Sequence, residues 1–231
     1  MRLAGGKLNK ARVSDQVRER ITELILSGQL KVGDQLPSEA ALASEFGVSK
    51  VPVREAIIGL QQAGLLIIKR GAGGGIFVAE PSAEPMGEVL TLMLRLGRAS
   101  IKELTEARLI IETEVAYLAA QRTTEQDLEA LEQTIAAYQQ SLEVDEPRTI
   151  ADMDFHLRLG DACGNMVLNL TLKGLVPMVY HSVRVHQFAR KDRVRGIADH
   201  KQMLAALRRR DAEQARQLMR RHIERMATFW K

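Results

Sequence analysis

LPSEAALASEFGVSKVPVREAIIGLQQAGLLIIKRGAGGGIFV, residues 36–78, carries helix caps, helix stops and strand signals in a fixed order. Ser38 is placed to cap a short helix whose apolar positions Ala41, Leu42 and Phe46 share one face, and Gly47 ends it. Ser49 is placed to cap a second helix running to about Ala63. Pro52 is tolerated in its first turn, and Val53, Ile57 and Leu60 supply an inner stripe. Gly64 stops that helix. Leu65–Ile68 and Ile76–Val78 then read as two β segments around Lys69-Arg70-Gly71-Ala72-Gly73-Gly74-Gly75, a connector too glycine-rich to sit in a core. Two short helices, a tight turn and a glycine-tipped hairpin make a winged helix-turn-helix.

Working outward, Ser14 can cap a first helix to about Ser27, with Val17, Ile21, Leu24 and Ile25 as its apolar stripe. Gly28 ends it, and residues 29–36 read as a connector. Residues 1–13 form a basic arm, with Arg2, Lys7, Lys10 and Arg12 ahead of any acid. The winged unit therefore spans 14–80, and Pro81 and Pro85 bracket a linker, 81–85. From Met86 the period becomes 3.6 and stays there, predicting helices near 86–96, 100–121, 124–142, 147–162, 165–190, 194–209 and 212–229, with a kink at Pro177. The expected fold class is mainly α: an N-terminal winged helix with a small β wing, then an all-α bundle over 86–231.

Composition narrows the class without naming a function. The 231 residues have an ordinary apolar share and few aromatics, so disorder is not expected. A single cysteine, Cys163, leaves no internal disulfide framework and fits a reducing, cytoplasmic compartment. No apolar run approaches 18 residues, so no membrane span is expected. Residues 1–80 hold 11 Lys/Arg against 8 Asp/Glu. That mild excess, concentrated in the arm, allows phosphate contact but equally suits a solvated tail.

A helix entering the major groove presents polar side chains at its first turns, where they reach base edges. Ser49, Lys50 and Arg54 occupy that place, and Arg54 can make a bidentate contact to guanine. Lys69, Arg70 and Gly71 at the wing suit minor-groove or phosphate contact. The bland alternatives are an Arg54 ion pair on a solvated face and a hairpin tip kept soluble by charge. The segment from Leu36 to Leu66 resembles the winged helix of the GntR superfamily of bacterial transcription regulators, and the glycine-rich wing ending in IFVAE agrees. Ser38 belongs to the matching segment. Ala40 stands where many members have a base-reading arginine, and Lys50 where arginine is usual, so operator sequence does not transfer.

The bundle places acids and histidines where apolar residues belong. Asp152 and His156, four apart, share one helix face, while Asp154 points elsewhere. His200 lies on the stripe Ile197, His200, Leu204, Leu207, and His222 on Met219, His222, Met226, Phe229. If these two helices pair antiparallel about Arg210-Asp211, the histidines stand at nearly equal height, about 15 Å from the turn. One carboxylate and three imidazoles suit Zn²⁺ first, and also Ni²⁺, Mn²⁺, Co²⁺ or Fe²⁺; the alternative is a set of satisfied core histidines. Arg108 interrupts the inward stripe Ile101, Leu104, Ile111, Val115, Leu118, and takes either Glu112 or a ligand carboxylate as its anion. His181 and His186 read as structural or pocket-lining.

ARLIIETEVAYLAAQR, DMDFHLRLGDACGN and the segment from His200 to His222 resemble the FCD domain of the FadR-like branch of that superfamily. The resemblance implies a divalent metal held by Asp152, His156, His200 and His222, a small carboxylate effector near Arg108, and a homodimer on palindromic double-stranded operator DNA. The expected function is a metabolite-responsive transcription regulator, a repressor released by its effector, and not an enzyme. The competing readings are a metal-dependent hydrolase or lyase fused to a DNA-binding module, and an architectural DNA-binding protein without effector.

Overall fold

The computed structural model describes residues 13–80, 82–143, 150–183 and 189–228. They fall into two compact units that divide after Pro85. The basic arm lies outside the described residues, except that Val13 is already helical.

The N-terminal unit packs α1 (Val13–Leu26) and α2 (Glu39–Glu45) on α3 (Lys50–Gln62). Val17 and Ile21 of α1 and Leu42 of α2 meet Val53, Ala56, Ile57 and Leu60 of α3 in one apolar cluster. These are the inward stripes of three amphipathic helices, and burying each large aliphatic contributes about 1.5–3 kcal/mol. Ser14 does not cap α1; it lies inside the helix and is buried, because the helix already includes Val13.

Three short antiparallel strands complete the unit: β1 (Gln35–Leu36), β2 (Leu66–Lys69) and β3 (Gly75–Val78), in the order β1-β3-β2. Leu36 pairs with Ile76, and Leu66 with Val78, placing all four in the helix-facing core. The wing hairpin is thus present, shifted by one residue at three of its four strand ends. β1 replaces part of the expected connector, since two residues are too few to show a period of two.

The C-terminal unit is all helical: α4 (Glu84–Arg95), α5 (Ile101–Arg122), α6 (Glu125–Glu143), α7 (Ile150–Ala162), α8 (Met166–Val183), α9 (Arg190–Arg208) and α10 (Ala212–Ala227). α4 begins inside the expected linker, because Pro85 fits a first helical turn and the Ser82 hydroxyl accepts from the Glu84 amide. A reciprocal Ser100–Glu103 capping box starts α5. α5 is the central element, packed on α10 and touching α7, α8 and α9. Its second half is lined by buried Ala116, Ala119 and Ala120. α8 continues through Pro177, and its described part ends at Val183; α9 starts at Arg190, four residues earlier than expected. Asp211 caps α10, and Arg210, at φ 54°, donates to the carbonyls of Gln121 and Thr123 at the end of α5. No helix among the described residues is long and apolar enough to cross a membrane.

Candidate metal centre and nucleic-acid interface

Asp152 and His156 stand one turn apart on α7, and α9 and α10 deliver His200 and His222 to the same point. One donor atom from each of the four lies within 4.8 Å of the others. The ring centroids of His200 and His222 are 5.0 Å apart, as their equal spacing from the α9–α10 turn requires, and those of His156 and His222 are 5.2 Å apart. His200 Nε2 is 3.7 Å from Asp152 Oδ1. All four residues are between 0 and 1% exposed.

Neighbouring side chains fix the orientation of this set. His156 Nδ1 donates to Glu112 Oε2 at 2.5 Å, and Arg108 Nε donates to the other oxygen of the same carboxylate. His222 Nδ1 donates to Asp199 Oδ2 at 3.0 Å, which Arg225 also meets. The His200 ring stacks on Phe155 with centroids 4.0 Å apart and planes 8° from parallel. A Cβ on Gly196 would lie 3.4 Å from the Tyr138 hydroxyl and 3.9 Å from Asp152 Oδ1, in ordinary van der Waals contact, so this face of α9 lies directly against the carboxylate.

The electrostatics favour a neutral imidazole at His222. Burial pushes the Glu112 carboxyl up, but Arg108 and His156 outweigh it and hold it well below the usual carboxylate range. Burial likewise opposes ionisation of Asp199, yet its bonds from His222 and Arg225 keep it below its ordinary value. Burial, reinforced by His156, holds the His222 imidazole below its ordinary range despite Asp199. His156 Nε2 and His222 Nε2 are then buried with no hydrogen-bond partner. Two orphaned nitrogens of this kind are expensive unless something accepts their lone pairs. Carboxylate support on the opposite ring nitrogen is the arrangement that orients metal-ligating histidines. The donor set therefore fits a divalent ion.

The roles of Glu112 toward His156 and of Asp199 were not read from the sequence. Glu112 was visible only as the internal partner of Arg108, a pairing the structure contains. Asp199, adjacent to His200, was not singled out at all. The side chain of His181 and all of His186 lie outside the described residues.

In the N-terminal unit, Ser38, Ser49, Lys50, Arg54, Lys69, Arg70 and Gly71 are all exposed. Ser38 caps α2 as expected, its hydroxyl accepting from the Ala41 amide at 3.2 Å. Ser49 occupies the cap position of α3 but makes no side-chain cap bond. The amide three residues into that helix belongs to Pro52, which has no N–H to offer. Arg54 is ion-paired with Glu39 of α2 at the surface, the pairing on a solvated face that the sequence allowed as the alternative to base contact. At the wing, Lys69 Nζ sits 4.8 Å from the Phe77 ring centroid, and Gly71 takes φ 93°, a backbone state that disfavours side chains.

Residues 13–78 match the bacterial regulatory proteins of the gntR family, and residues 103–225 match the FCD domain. The HTH-type transcriptional regulator LutR of Bacillus subtilis is 32% identical over 206 residues, covering 87% of this chain and 93% of its own. A putative L-lactate dehydrogenase operon regulatory protein of Escherichia coli is 30% identical over 230 residues, covering 95% and 87%. The Uxu operon transcriptional regulator of Escherichia coli is 31% identical over 219 residues, covering 90% and 83%. Among solved structures, Streptococcus agalactiae GntR shares the fold with a TM-score of 0.70 at 23% identity, over 93% of this chain and 99% of that one. These relatives are named as regulators rather than enzymes, and regulators of this kind bind operator DNA and usually act as dimers. Matched in both halves and aligned with such relatives over most of its length, the chain belongs to the GntR family of transcription regulators and carries an FCD effector domain.

Proposed function

We propose that this regulator is a repressor released from its operator by a small organic acid sensed beside a divalent metal. The observation that carries the reading is the buried Asp152, His156, His200 and His222 set, with carboxylates on the outer nitrogens of His156 and His222. Those four residues would hold the ion, Zn²⁺ first by its taste for imidazole and carboxylate, with Ni²⁺, Mn²⁺, Co²⁺ and Fe²⁺ as competitors. When bound, it supplies a Lewis-acid centre able to take a ligand oxygen.

Arg108, held through Nε by Glu112, offers its terminal amino groups to the acid's carboxylate. Residues 14–80 read the DNA and those after Pro85 sense and dimerise, giving a cytoplasmic homodimer on a palindromic operator. The base and phosphate contacts come from Ser38, Ser49, Lys50, Arg54, Lys69, Arg70 and Gly71, every one of them at the surface. Half-site spacing must match the two reading helices, so a small change in their separation lowers operator affinity. The relative named for an L-lactate dehydrogenase operon supports screening small hydroxy acids first.

Elemental analysis of purified protein is expected to find about one divalent ion per chain, and chelation to lower the melting temperature. An acid that raises that temperature is expected to weaken operator binding in a gel-shift titration, and Arg108→Ala to abolish both effects while retaining the metal. Protein free of metal and indifferent to chelators overturns the metal reading. An acid that binds without moving operator affinity overturns the switch.

A further inference from the structure

Glu39 and Arg54 tie α2 to α3 across the turn between them. Arg54 Nε donates to Glu39 Oε2 at 2.9 Å and to Oε1 at 3.2 Å, and Arg54 Nη2 donates to Oε2 at 2.7 Å. All of these bonds use the Nε side of the guanidinium. The group is a rigid plane with five N–H donors, so fixing one side also fixes the direction of the opposite end. That end, with both N–H groups of Nη1 and the second of Nη2, faces away from Glu39. The Arg54 side chain is 64% exposed and that of Glu39 only 29%, so the carboxylate lies beneath the guanidinium and does not cover it.

A bidentate contact to guanine needs two parallel donors held at the right angle to O6 and N7. An unsupported arginine loses rotamer freedom when it makes that contact, which weakens binding to the right base more than to the wrong one. We propose that Glu39 is a positioning residue for base reading: it clamps the Nε side of Arg54 and presents the other end, already oriented, to a guanine in the major groove. This rests on the reading that α3 enters the groove and that Arg54 touches a base. The bonds from Arg54 lower the Glu39 carboxyl below its usual value, so the clamp is charged at neutral pH. A carboxylate at the DNA-facing surface also repels phosphate, so Glu39 lowers affinity for DNA in general while raising selectivity.

The test uses the full-length protein and a duplex selected from a random pool. Arg54→Ala identifies the base pair at which discrimination is lost, expected to be a G·C pair worth roughly tenfold or more in wild type. Affinity is then measured for that duplex, for the same duplex with A·T at that pair, and for an unrelated duplex. Glu39→Ala and Glu39→Gln are expected to reduce discrimination at that pair by about three- to tenfold, with unchanged or tighter binding to the unrelated duplex. In the Arg54→Ala background, Glu39→Ala is expected to change discrimination no further. Full discrimination in both Glu39 variants overturns the proposal while leaving Arg54 as the reader. An equal loss on all three duplexes also overturns it, marking Glu39 as a support of the fold; the near-isosteric Gln variant and a thermal melt identify that case. If Arg54→Ala discriminates like wild type at every pair, the base-reading assignment itself falls, and the proposal with it.

Discussion

Arg54 is a charged side chain 64% exposed and held by one carboxylate, whereas His200 is 0% exposed and stacked on Phe155 among three other buried donors. The contrast runs through both units. Candidate DNA contacts lie on a surface where water satisfies every polar atom, so a partner such as Glu39 serves only to aim the side chain. Candidate metal ligands lie where water is excluded, so each needs compensation from the fold: Glu112 for His156, Asp199 for His222, an aromatic face for His200. Substitutions at the exposed candidate DNA contacts should therefore alter selectivity with little effect on folding, and those at the buried candidate ligands should alter occupancy and stability together.

The strongest challenge to that division is a core truncation. Leu60 is 1% exposed at the centre of the N-terminal cluster, and Leu60→Ala is expected to cost about 2–5 kcal/mol there. Urea melts followed by near-ultraviolet dichroism, with elemental analysis alongside, should show that loss while bound metal stays unchanged; a parallel loss of metal would break the separation of the units. Next in size is Asp199→Asn, which removes the charged acceptor behind His222. A 10–100-fold fall in metal affinity is expected by competition against a chromogenic chelator, with selectivity for the operator retained. Unchanged affinity would remove Asp199 from the site.

The smallest effect sharpens the comparison from the surface of the bundle. Burial raises the Asp161 carboxyl, but bonds from Lys173 and Asn169 outweigh it and bring it below its ordinary value. A carboxyl with a depressed folded value adds stability above its unfolded value, and that stability is lost as pH falls through the folded one. The wild type's advantage over Asp161→Asn should thus be full above about pH 4 and disappear below it. Asp161 is partly solvated, so the gain is under about 1 kcal/mol, and urea midpoints at several pH values measure it.

The winged helix was legible because its signals are contiguous: caps, glycines and stripes between Leu36 and Val78 each act over a few residues. Ser49 shows where that local reading stops, since the cap position was right but Pro52 removed the amide that the hydroxyl would have bonded. In the bundle, the i, i+4 spacing of Asp152 and His156 and the mirrored places of His200 and His222 about the turn were enough to predict convergence. Glu112 reaching His156 was not legible, because 44 positions separate them and only the packing of α5 on α7 joins them. Asp199 escaped for a related reason: its helix face becomes interior only when α10 is laid against α9. β1 was missed because two residues carry no period.

The order in which the parts are made has a consequence of its own. Val78 completes the sheet of the first unit, and His222 follows it by 144 residues. At a synthesis rate of about 5–20 residues per second, that distance corresponds to roughly 7–30 s. During each round of translation α3 emerges with all its local partners, while the cluster of Asp152, His156 and His200 still lacks His222. A newborn chain thus passes through an interval in which its winged helix is complete and its FCD domain is not.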